Sequence, residues 1–118
     1  MSFTHPDYDN QEFFNTLLAN LKADGFDDIS YKNDTCPSMG VEFDQNGHDA
    51  LLQIHVEYKD FDLREFAIEE CPSCVIANFS IDGEFVHSLS IDTFDLDAAL
   101  QMNEEMRKFI LLQVTEAA

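Results

Sequence analysis

Leu52, Ile54, Val56 and Tyr58, with Gln53, His55 and Glu57 in the alternate positions, form the stretch that most narrows the fold. Strict alternation sends apolar side chains to one side of a strand and polar ones to the other, so this segment requires a sheet with one buried face. The flanking sequence supplies neighbours for it. Val41 and Phe43 alternate with polar residues, Asn46-Gly47 marks a tight turn, and Ile29 with Tyr31 repeats the pattern upstream. Phe61, Leu63, Phe66 and Ile68 are less regular and read as an edge strand or a short turn of helix. Val75 to Ile91 reads as a hairpin around Asp82-Gly83. A two-residue loop would set Ile81 opposite Glu84 and put Val75-Ala77-Phe79-Ile81 out of phase with Phe85-His87-Leu89-Ile91. A three-residue loop with Gly83 left-handed brings both apolar sets to one face, and this bulged turn is the expected register.

The ends change period. Asp9-Asn10-Gln11-Glu12 has the form of a capping box, and Phe13, Phe14, Leu17, Leu18 and Leu21 follow at helical spacing until Gly25. This predicts a helix over residues 10–24. Near the C-terminus, Asp95 or Asp97 is placed to cap, with Phe94 available as a hydrophobic staple. Leu96, Ala99, Leu100, Met106, Phe109, Ile110 and Val114 then predict a helix over 96–115. The expectation is a single acidic α+β domain over residues 1–118. It has an antiparallel sheet of about four to six strands, with an N-terminal and a C-terminal helix packed on one face.

Such a fold needs no unusual charge, yet the chain carries 24 Asp and Glu against 6 Lys and Arg, a net charge of −18. Solubility asks for a net charge of only about 2 to 8 in a small domain, and further like charge opposes compaction. Hydrophobic residues at 45 %, with 11 Phe, nevertheless give a folding composition. A negative surface argues against direct binding of nucleic acid or anionic lipid, both of which need basic patches. No apolar run reaches the roughly 18 to 20 residues of a membrane span, and Met1 to Pro6 has neither a basic nor an apolar leader region. Three cysteines, an odd number, point to a reduced cytoplasmic setting.

Cys71-Pro72-Ser73-Cys74 is the stretch that most looks like chemistry. The pair has zinc-ligand spacing, and Cys36 with His48, His55 or His87 would complete a tetrahedral set, but a second Cys-x-x-Cys is missing. A redox dithiol needs a helix after it, and here a strand follows. An inert loop pair is the default. His5, His48, His55 and His87 have no metalloprotease spacing, and His87, among apolar hairpin residues, reads as a core imidazole. Asp44 to Asp49 cannot be written as a calcium loop and fits a hairpin turn better. No nucleophile elbow, phosphate loop or dinucleotide fingerprint is present, so neither catalysis nor a cofactor is expected.

The acids themselves remain. They are spread through the folding pattern rather than gathered in a tail: Glu42 and Asp44; Glu57, Asp60, Asp62, Glu65, Glu69 and Glu70; Asp92, Asp95 and Asp97. Same-face residues two apart on a strand lie about 6.6 to 6.8 Å apart, and successive phosphates of one DNA strand roughly 7 Å apart. Carboxylates on regular elements therefore come at phosphate-like intervals. A solvated, halophile-type surface is the plainer alternative.

In length, charge and mixed pattern the chain resembles the bacterial acidic DNA-mimic proteins, most of all the neisserial DNA mimic that binds the histone-like protein HU. The resemblance is one of profile over the whole chain, with segments such as Glu57-Tyr58-Lys59-Asp60-Phe61-Asp62 suiting the role. It implies a basic, HU-like DNA-binding protein as partner, no direct nucleic-acid or membrane contact, and a monomer that competes with DNA. Tyr58 or Phe61 would be an exposed aromatic anchor, while Lys59, Arg64, Arg107 and Lys108 interrupt the acidic face. The same physics would serve a phage-encoded inhibitor of a host defence complex. A zinc or redox protein built on Cys71 and Cys74 is the alternative of a different class.

Overall fold

An alternating strand pattern and a helical one share a single interior in the computed structural model, which describes residues 8–29, 37–59 and 73–117. Helix α1 (Gln11–Leu21) buries Phe14, Leu17 and Leu21 and tightens into a 3-10 turn at Lys22–Asp24. Gly25 ends it at φ 93°, in the left-handed region, where its N–H donates to the Lys22 carbonyl. Among the described residues five strands follow: β1 (Asp27–Asp28), β2 (Ser38–Gln45), β3 (His48–Val56), β4 (Val75–Ile81) and β5 (Glu84–Ile91). They pair antiparallel in chain order, β1-β2-β3-β4-β5. Helix α2 (Leu96–Ala117) closes the chain. The expected α+β arrangement, an antiparallel sheet with a helix at each end of the chain, is what forms.

Both helices share one core with one sheet face. Leu52, Ile54 and Val56 of β3 and Val75, Ala77 and Phe79 of β4 are buried with Phe14 and Leu17 of α1 and Ala99, Met102 and Met106 of α2. Each large apolar side chain removed from water in this way contributes about 1.5 to 3 kcal/mol. The opposite sheet face carries Gln53, His55, Asn78, Ser88 and Ser90, as the alternation requires.

Three expectations are corrected. Asp9 does not cap α1: its Oδ1 accepts a hydrogen bond from the Lys59 N–H at 2.8 Å, and Asn10 stands at the cap position. Asn10 is buried there and donates through Nδ2 to the Glu57 carbonyl instead, so tertiary contacts have displaced the local capping box. Tyr58 is not an exposed anchor. It is 2 % exposed, its ring edge-on to Tyr8 at 5.0 Å. Phe61 lies outside the described residues.

The third correction concerns the β4–β5 hairpin. Its turn has two residues, Asp82 at φ 53° and Gly83 at φ 81°, with Ile81 opposite Glu84. Positive φ at both positions suits the right-handed strand twist, and Asn46-Gly47 between β2 and β3 repeats the geometry at 53° and 87°. The phase conflict is resolved inside β5: Phe79 pairs with His87 but Ser80 with Phe85, leaving Val86 as the extra residue. His87, Leu89 and Ile91 therefore join the core face, while Phe85 turns to the other side and is 67 % exposed. His87 is half-buried, its ring stacked on Phe109 at 4.1 Å.

Candidate functional site: two acidic ends of one sheet

In an antiparallel meander alternate turns come to the same end. The β2–β3 and β4–β5 turns are neighbours for this reason, and they bring five carboxylates together: Glu42, Asp44, Asp49, Asp82 and Glu84. Glu42 and Asp44 lie two apart on one face of β2, and Asp49 is directly opposite Asp44. Asp82 is fixed by the backbone of the other hairpin: its Oδ1 accepts from the Asp49 N–H at 3.0 Å, and its own N–H donates to the Asp49 carbonyl at 2.7 Å. Its Oδ2 lies 2.7 Å from His48 Nδ1. The hydrogen bond to His48, then that from the Asp49 N–H, holds the Asp82 carboxyl below its ordinary pKa. An open groove of about 460 Å³ between the hairpins is lined by Glu42, Asp49, Leu51 and Ser80.

At the far end, Glu57, Cys74 and Ile91 are linked across the sheet by Glu57 N–H to Cys74 O at 2.9 Å and Cys74 N–H to Ile91 O at 2.8 Å. Glu57 is half-buried there, and Asp92, Asp95 and Asp97 are exposed on the passage from β5 into α2. Asp95 is the helix cap, its Oδ2 accepting from the Ala98 N–H at 3.0 Å. The nine residues of β3 set the two ends about 27 Å apart.

The sequence-predicted acids are thus divided. Glu42 and Asp44 stand at the turn end; Glu57, Asp92, Asp95 and Asp97 stand at the other. Asp60, Asp62, Glu65, Glu69 and Glu70 lie outside the described residues, as do Cys36 and Cys71. Cys74 is buried. Asp49, Asp82 and Glu84 were missed, although their signal was legible: each lies in a glycine-containing turn or within two residues of one, and successive turns of a meander alternate between ends.

Few cations interrupt the described acids. Lys22 pairs with Asp27 at 2.7 Å and lowers its pKa, and Arg107 pairs with Asp24 at 3.0 Å and reaches Glu104 at 4.0 Å. Among the described residues, no lysine or arginine pairs with Glu42, Asp44, Asp49, Glu84, Asp92, Asp95 or Asp97. Also among the described residues, no three His, Cys, Asp or Glu side chains gather as metal ligands. No helix there is long and apolar enough to cross a membrane. No protein-family model, curated protein or solved structure matches the chain.

Proposed function

We propose that the protein is a DNA mimic: a monomeric, non-catalytic cytoplasmic binder of a basic DNA-binding protein, of the histone-like HU kind, that competes with DNA through its carboxylates. The observation that carries this reading is charge density. Eighteen net negative charges along a longest dimension of 45 Å amount to one per about 2.5 Å, against about one per 1.7 Å of duplex axis. The described carboxylates of the two ends are held on strands, turns and a helix terminus, so a partner meets a fixed pattern there and orders little on binding. The 27 Å between the acidic ends corresponds to about eight base pairs at 3.4 Å each. A basic surface shaped to a short duplex therefore reaches both.

The test is competition. Purified protein should displace duplex DNA from an HU-type histone-like protein, bind DNA itself negligibly, and lose affinity as salt rises over the range where the Debye length falls to about 8 Å. Binding that ignores both salt and DNA would overturn the reading.

A further inference from the structure

We infer that the edge of β5, which no other strand of the described residues pairs, accepts an extended segment of a basic partner as a further strand, seated in the groove between β5 and α2. This rests on the reading of the protein as a binder of a basic DNA-binding protein, and it adds where and how that partner is gripped. The two sheet edges are unlike. β1 has two residues, both aspartates, a length and charge that discourage strand addition. β5 has eight, with no charge and no proline between Glu84 and Asp92, and a single bulge at Val86. No strand lies beyond it among the described residues. Alternate residues of such an edge point their N–H and C=O groups away from the sheet, free to pair with an incoming chain.

A cavity adjoins this edge. About 230 Å³ lies between β5 and α2, floored by Leu89, Ile91 and Met102 and walled by Ala98, Gln101 and Glu105. The four helix residues, at 98, 101, 102 and 105, form one helical stripe facing the edge strand. A strand added about 4.8 Å beyond β5 would send every second side chain down over that stripe. One such side chain would meet Leu89 and Met102 and must be apolar. The next, about 6.7 Å along, would reach Gln101 and Glu105. Glu105 is exposed and pairs with no lysine or arginine among the described residues, so this position selects Lys or Arg. Glu84 and Asp92 flank the strand with the same preference. The fitting occupant is an extended segment alternating Lys or Arg with apolar residues. A second copy fits poorly, because β5 contains no lysine or arginine to offer Glu105 and two chains of charge −18 repel.

The experiment is amide hydrogen exchange on the full chain, alone and with a purified HU-type histone-like protein, joined to affinity measurements on three exposed variants. Exchange over Phe85–Ile91 should slow in the complex and recover when duplex DNA is added. Glu105→Lys should weaken binding about tenfold or more, and Gln101→Trp, which fills the groove, should do the same. Glu104→Lys makes the same change in net charge beside Arg107 and should cost under about threefold. Equal losses for the two lysine variants, with β5 exchange unchanged in a complex that DNA still displaces, would overturn strand addition and leave the mimic reading standing. Absence of any binding would overturn both. Protection of β5 that rises with the protein's own concentration would identify a second copy as occupant and overturn the inference.

Discussion

His48 Nδ1 and Asp82 Oδ2 approach to 2.7 Å, and this contact joins the β2–β3 turn to the β4–β5 turn. Asp82 is a two-sided clasp, since its other carboxylate oxygen takes the Asp49 N–H. The hydrogen bond from His48 is the larger cause of its lowered pKa. A carboxyl whose pKa is depressed on folding contributes stability above its unfolded value, about 3.9, and loses it as pH falls through the folded value. Asp82→Asn is the clean probe, because Asn accepts the left-handed conformation at this turn position. The urea midpoint of the variant should lie below that of the wild type at pH 5 to 6, with the gap closing below about pH 4. A gap unchanged down to pH 2 would show that the charge of the clasp is idle.

Gly40 of β2 is packed on both sides. A Cβ built there would lie 2.6 Å from Ile29 Cδ1 and 3.1 Å from the Leu52 carbonyl oxygen. The first neighbour is the tip of a side chain; the second is backbone paired in the sheet. Gly40→Ala should therefore cost about 1 to 3 kcal/mol. Ile29→Val removes Cδ1 and should recover part of the loss in the double variant, with the remainder set by Leu52. Denaturant unfolding of the four proteins gives the coupling, and strict additivity would mean that Ile29 does not crowd this site.

Asp95 and Asp97 carry the same charge two residues apart but hold different posts. Asp95 accepts the Ala98 N–H and caps α2, whereas Asp97 lies in the first turn. Asp95→Ala should lower stability by about 0.5 to 2 kcal/mol, and Asp97→Ala by no more than about 1 kcal/mol, the usual limit for a dipole contribution at an exposed helix terminus. Thermal unfolding compares them directly. Similar costs would remove the distinction between an acid needed for the fold and one available to a partner.

What the sequence could disclose follows from the range of each interaction. The alternation from Leu52 to Tyr58 and the stop at Gly25 are local, and both were legible. The capping box at Asp9 was misleading because the competing partner, the Lys59 N–H, is fifty residues away. The β4–β5 register posed a conflict between turn chemistry and face matching. Placing the extra residue at the turn would have satisfied the faces, but the chain keeps the favoured Asp-Gly turn and bulges at Val86. That choice reversed Phe85. The acids were visible as a composition, but their division between two ends of a sheet required the topology, which is how Asp49, Asp82 and Glu84 escaped notice.

The division of the acids yields the sharpest functional prediction. If the protein mimics DNA along its length, both ends attract the partner before contact, and removing charge from either should slow association more than it speeds dissociation. Asp44→Asn with Asp49→Asn tests the turn end; Asp92→Asn with Asp97→Asn tests the other, sparing the capping Asp95. Each double variant should reduce the association rate with an HU-type protein about three- to tenfold at low salt, with single changes costing less than about twofold. The difference from wild type should shrink in 0.5 M salt, where exposed charges are screened within a few ångströms. Asp60→Asn with Asp62→Asn, from the acidic run between β3 and β4, supplies a third arm. If only one of the three pairs matters, the mimicry is confined to one end. If none alters association while the partner still binds, the carboxylates are a solvating surface and recognition lies elsewhere. Stopped-flow association at two salt concentrations separates these outcomes.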